Sequence, residues 1–236
     1  MKNKKSLFFS IVLTTLLLVS CKGAVITREE AAARAANIEE HCSSDDFEFP
    51  TKFSMAQDVK MVLFETQVDM NMVETLDLGA KYYYVSVDGT AGEESEHTKT
   101  WVYYQAKDNK SYMVSDDNGT KSHTYMEGDI FADFDVTVAT ELGDLYSDIG
   151  ISDLLLPVEE DDARNVYRSS GEGSIYLKIY LVEENENAYT EIEISKYLIS
   201  RIYTFIDETT EIEMKIKYSG ISTSKPNLAD YPLAAD

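Results

Sequence analysis

EIEMKIKY, residues 211–218, decides the fold. Ile212, Met214, Ile216 and Tyr218 alternate with Glu211, Glu213, Lys215 and Lys217. Side chains along an extended chain point to opposite sides in turn, so this octapeptide has one apolar face and one face carrying both signs of charge. That is an antiparallel strand packed on one side and wetted on the other. The pattern recurs upstream. SIYLKIYL, 174–181, sets Ile175, Leu177, Ile179 and Leu181 on one face, and TEIEI, 190–194, sets Ile192 and Ile194 opposite Glu191 and Glu193. Earlier, Val59, Met61 and Leu63 alternate, as do Val68, Met70 and Met72.

About eleven such runs are predicted, starting near residues 53, 68, 81, 99, 111, 121, 164, 173, 187, 198 and 210. Short polar turns join most of them, which favours neighbouring antiparallel pairs. Asn118-Gly119 suits a type I′ hairpin turn, and Asp108-Asn109 marks another. The Asn118-Gly119-Thr120 glycosylation pattern is read only as that turn. The charge on the wet faces is too dense for a membrane barrel. One long break spans 128–163. Within it Val138, Leu142, Leu145 and Ile149 form one helical stripe, predicting a helix over 136–149, and Leu154-Leu155-Leu156-Pro157 ends it. A second helix is predicted after Thr27-Arg28-Glu29-Glu30, which has capping-box spacing. It runs to about His41, is rich in alanine, and has Ile38 as its only large apolar residue, so it is expected to lie against the domain rather than inside it. The expected fold is mainly β (α+β), one domain over 28–236, a curved antiparallel sheet or half-barrel of about eleven strands with a helical plug.

The start of the chain has a different character. Lys2, Lys4 and Lys5 precede an apolar run from Leu7 to Leu18, too short for a comfortable membrane span. An ordinary signal cut after Ala24 would put Lys22 at the −3 position, a poor fit. Leu18-Val19-Ser20-Cys21 instead resembles the lipobox of bacterial lipoprotein signals. The resemblance implies a signal peptide over 1–20, a lipid thioether on Cys21 and a tether over 21–27. The protein would then be lipid-anchored at the extracytoplasmic face of a bacterial cell membrane, and each buried CH₂ of the anchor contributes about 0.8 kcal/mol. The whole chain carries a formal charge of −22. Losing a lysine-bearing leader makes the remainder more acidic still. Nucleic acid is not an expected partner, and contact with an anionic bilayer is expected through the anchor alone. With Cys21 acylated, Cys42 has no disulfide partner within the chain. It reads as a packed cysteine, with a reactive thiol beside His41 as the alternative.

Catalytic and cofactor motifs do not emerge. His41, His97 and His123 are scattered outside zinc-ligand spacings. Glu159-Glu160-Asp161-Asp162 lacks the alternating ligands and glycine of an EF-hand loop. No phosphate-cradling glycine motif and no GxSxG elbow is present. No cofactor, no metal and no enzymatic activity is expected. The strands do stand out for tyrosine and methionine. Tyr82, Tyr83, Tyr84, Trp101, Tyr103, Tyr104 and Tyr112 cluster in the first half with Met55, Met61, Met70, Met72 and Met113. Such residues suit a cavity for variable apolar ligands, and they suit an ordinary β core equally.

The order of parts is similar to the lipoprotein-carrier fold of the LolA/LolB and LppX/LprG type. The matching parts are the lipobox, a polar helix near 28–41, charged-outside strands at 53–65 and 68–78, tyrosine-rich hairpins from Trp101 to Tyr125, a central helix, and late strands followed by the proline-bearing tail ISTSKPNLADYP. The likeness covers roughly 28–232 and rests on order, not on one motif. No arginine or protruding apolar loop transfers residue by residue. It implies acyl chains held in a hollow between sheet and helix, with Met61, Leu63, Met70, Met72, Val138, Leu142, Leu145, Ile175, Leu177, Ile179, Ile212, Met214 and Ile216 as its lining and the 136–149 helix governing access. The expected partners are the membrane, through Cys21, and a lipid or lipoprotein cargo; the sequence names no protein partner. The alternative is a ligandless surface module of the same fold, making contact through its tyrosine-rich wet faces. Bacteria expressing the chain and fed radiolabelled palmitate will incorporate label into it, and Cys21→Ser will abolish the labelled band while leaving the polypeptide detectable by immunoblot.

Overall fold

The structure, a computed structural model, describes residues 23–44, 46–132, 162–181 and 185–234. Among these described residues, twelve antiparallel strands form one sheet. In chain order they are β1 (Ala24–Val25), β2 (Lys52–Leu63), β3 (Thr66–Asp77), β4 (Tyr82–Ala91), β5 (Glu94–Gln105), β6 (Lys110–Asp117), β7 (Thr120–Glu127), β8 (Val166–Gly171), β9 (Ser174–Tyr180), β10 (Tyr189–Ser195), β11 (Leu198–Asp207) and β12 (Thr210–Lys217). The helix α1 spans Arg28–Cys42. The spatial order is β1-β8-β9-β10-β11-β12-β2-β3-β4-β5-β6-β7. Two meanders, β2–β7 and β8–β12, therefore meet where β12 pairs with β2, and among the described residues no pairing closes the sheet between β1 and β7. This is the mainly β, half-barrel-like wall with a helix that the alternation predicts.

Eleven of these strands are the runs legible in the sequence. The twelfth, β1, lies in the stretch expected to be a free tether. Ala24 and Val25 pair with Ser169 and Arg168 of β8, and the Ile26 amide donates to the Tyr167 carbonyl at 3.0 Å. Two residues carry no period, so no pattern could reveal them. β5 also begins earlier than expected. Glu94–Lys99 is all polar, yet it extends the strand because Ala91↔Glu94 and the following pairs continue the ladder with β4.

Directly opposite residues share a face, so the register sorts the whole sheet. The row Ile192–Ile202–Met214–Gln57–Met72–Val87 runs across one side, here termed the inner face. The row Glu193–Arg201–Lys215–Ala56–Val73–Ser86 runs across the outer face. On the outer face Arg201 reaches Glu191 and Glu213, both at 2.7 Å, and Lys215 reaches Glu213 at 2.6 Å. Such part-exposed pairs are worth about 0–1 kcal/mol each and serve register more than stability.

α1 covers the inner face at the β8–β12 end. Thr27 and Glu30 close the predicted capping box: the Glu30 amide donates to Thr27 Oγ1 at 3.2 Å and the Thr27 amide donates to Glu30 Oε2 at 2.9 Å. Ala31, Ala35, Ile38 and Cys42 fall on one stripe and are buried. They join Ile175, Leu177, Ile192, Ile194, Ile199 and Ile216 in the largest buried cluster. Alanine lets the helix axis approach closely, and Ile38 then fills the remaining space between strands. The helix expected to lie against the domain thus supplies the centre of its core. Ile38→Ala will lower unfolding free energy by about 2–4 kcal/mol, and Thr27→Ala by about 1 kcal/mol, in urea titrations followed by circular dichroism.

Candidate ligand-binding site

The register places Met61, Leu63, Met70, Met72, Ile175, Leu177, Ile179, Ile212, Met214 and Ile216 all on the inner face. Their surroundings divide them. Ile175, Leu177, Ile179 and Ile216 are buried in the cluster beneath α1, with Met214 packed against it. Met61, Met70, Met72 and Ile212 are half-buried nearer the opposite strand ends, and Leu63 is exposed beside the β2–β3 turn. Val138, Leu142, Leu145 and Cys21, with the 136–149 helix, lie outside the described residues.

A separate apolar hollow of about 370 Å³ opens on the same face at the β4–β7 end. Its floor is one cross-strand row, Tyr83–Val102–Met113–Thr124. Met126, Ile130 and Phe131 also line it. Ser111 fixes the loop that carries the last two. Its buried hydroxyl donates to the Gly128 carbonyl at 2.7 Å and accepts from the Ile130 amide at 3.1 Å. Asp129 Oδ1 then accepts from the Phe131 amide at 3.0 Å, while its other oxygen pairs with Lys81. The loop is thereby held over the sheet, with Phe131 turned inward and buried. Met113 and Met126 remain 48% and 57% exposed. The volume lies in the ordinary range for small-ligand pockets, roughly 300–1,000 Å³, and flexible methionine can adapt to its contents. The tyrosine- and methionine-rich cluster in the sequence contains Tyr83 and Met113. Their side could be settled only by the register.

The second feature is the β2–β3 turn. Phe64 and Glu65 adopt positive φ, 50° and 67°, without glycine or asparagine. Phe64 is 100% exposed, and Val62 and Leu63 beside it are also exposed. Three consecutive apolar residues at a hairpin tip face water. By resemblance, no protruding apolar loop transfers residue by residue to this turn. Its signal was Val62-Leu63-Phe64-Glu65 between two alternating runs, where a polar turn is the norm.

The Cys42 thiol and two buried tyrosines are held neutral. The Cys42 thiol donates to the Tyr197 carbonyl at 3.3 Å. Burial, then the charge of Glu39, pushes its pKa up to about 11. A thiol so protonated is a poor nucleophile, which favours the packed reading of Cys42. Tyr112 is pushed up to about 12 by its hydrogen bond to the Asp108 carboxylate and by burial, and Tyr82 to about 12 chiefly by burial. Among the described residues, no group of three or more His, Cys, Asp or Glu side chains is placed to hold a metal ion.

No protein-family model matches the chain, and no curated protein matches it.

Each raised pKa means that the folded chain keeps a proton that the unfolded chain releases. Stability from these groups is complete below the ordinary values of 9.0 for the thiol and 10.0 for tyrosine, and it falls as pH rises toward 11 and 12. The melting temperature will therefore decline with rising pH above about 9, and Cys42→Ala will remove the earliest part of that decline.

Proposed function

We propose that this chain is a membrane-anchored, extracytoplasmic lipoprotein that holds an acyl chain in the hollow over Tyr83, Val102, Met113 and Thr124. In this reading it works like carriers of the LolA/LolB and LppX/LprG type. The observation that carries it is the hollow: an apolar floor, a loop fixed above it, and two part-exposed methionines in its lining. Binding is by partition, without covalent chemistry. Each CH₂ moved from water contributes about 0.8 kcal/mol. The lipid on Cys21 keeps the protein at the bacterial membrane, and the Phe64 tip offers a second apolar contact with a bilayer or a cargo. Nucleic acid is excluded as a partner on charge grounds.

A different class of function has its own support. The inner face beneath α1 is closed by packed isoleucine and leucine, which favours a ligandless surface or envelope module of the same fold. Native mass spectrometry separates the two. Chain expressed without residues 1–21 and purified from bacteria without detergent will carry a bound mass in the lipid range, and Thr124→Trp, which fills the hollow, will remove it. A bare mass that persists after incubation with phosphatidylethanolamine–phosphatidylglycerol vesicles would exclude the carrier reading and leave the surface module.

A further inference from the structure

A second recess lies on the outer face, where the C-terminal tail crosses β3–β6. It encloses about 480 Å³. Its floor is the cross-strand pair Tyr84–Trp101, with ring centroids 5.3 Å apart and planes inclined by 39°. Tyr231 stands against Trp101 edge-on, at 6.0 Å and 73°. The tail that forms the opposite wall is fixed in place. The Tyr82 hydroxyl donates to the Ser224 carbonyl at 3.1 Å, and Lys225 Nζ donates to the Tyr104 carbonyl at 3.2 Å. His123 Nδ1 donates to the Tyr231 carbonyl at 2.6 Å. The rim carries Lys121, Asn227 and Asp230, all exposed. The groove thus combines an aromatic platform with an ammonium, an amide and a carboxylate around it.

We propose that this groove binds a carbohydrate chain, one sugar ring lying flat on Trp101 and Tyr84 with its hydroxyls meeting the side chains of Lys121, Asn227 and Asp230. A pyranose ring has an apolar C–H face and a girdle of hydroxyls that both donate and accept. The platform matches the first, and the mixed donors and acceptors of the rim match the second. An acyl chain would leave that rim without partners, at the cost of desolvating it. A nucleic acid would be repelled by a chain of net charge −22. The groove lies on the opposite side of the sheet from the hollow proposed for lipid, so the two assignments stand or fall separately.

Trp101 is the chain's single tryptophan, so its fluorescence reports on this groove alone. The full chain, kept in micelles of a detergent without a sugar headgroup, is titrated with tetra-N-acetylchitotetraose, maltohexaose and cellohexaose. At least one will change the Trp101 emission saturably, at a concentration of ~1 mM or below, with a matching calorimetric heat. Tyr84→Leu will weaken that binding about tenfold with the far-ultraviolet circular dichroism unchanged. Should Tyr84→Leu unfold the protein, Asn227→Ala and Asp230→Ala, at exposed tail positions, will show the same weakening. Absence of saturable emission change and of heat with all three sugars overturns the proposal. So does saturation by a proline decapeptide with no response to sugar, which would assign the aromatic groove to an extended peptide.

Discussion

Everything in this molecule depends on the pleat staying in register across the sheet. The side-chain period of a strand is two, so a slip of one residue would move each inner-face group to the outer face. From β10 to β4 the pairing places Ile192, Ile202, Met214, Met72 and Val87 on one side, and it sets Arg201 beside its glutamates on the other. A slipped strand would bury charge under α1 and expose isoleucine to water. Both errors cost free energy at every rung, and that makes the register cooperative.

The two faces then acquire different coverings. The inner face is roofed at the β8–β12 end by α1, whose alanines let it sit close enough for Ile38 to reach the core. At the β4–β7 end a short loop pinned by Ser111 and Asp129 stands over the strands and leaves a hollow. The outer face is charged over β10–β12 and aromatic over β4–β6. There the chain's own C-terminal tail docks, with Tyr231 and Leu228 packed on Tyr82, Tyr103 and Tyr112. The tail continues to the sheet edge, where the His123 amide donates to the Pro232 carbonyl and the Ala234 amide to the His123 carbonyl. An open edge strand is a template for unwanted pairing, and this contact covers part of β7.

Much of the fold was readable because alternation is a local signal. Ile212, Met214 and Ile216 announce their own strand without reference to any neighbour, and Thr27 with Glu30 announces a helix start within four residues. The candidate site was readable only in part. Ile175 and Leu177 were legible as inward-facing, but nothing local distinguishes a residue that lines a hollow from one that a helix will cover. That difference is made by Ala31, Ala35 and Ile38, far away along the chain. Tyr83 and Tyr82 show the same limit: adjacent tyrosines face opposite sides, one toward the hollow and the other under the tail. The Phe64 tip was missed for another reason. An apolar turn breaks the usual link between turns and polar residues, and composition alone absorbs it into the flanking strands.

The sequence by itself determined eleven of the described strands, their faces, the cap of α1 and the acidic character, because each follows from nearest neighbours or from composition. Its lipobox likeness also set the expectation of a lipid anchor at Cys21. Only the tertiary structure decided where empty space remains. A hollow or a groove is the volume left after separate elements have packed. Its place here was set by how closely α1 approaches one half of the sheet, by where Ser111 holds the 128–131 loop, and by how the tail lies across Trp101. Those distances are properties of contacts between residues far apart in the chain, and no short window of sequence contains them.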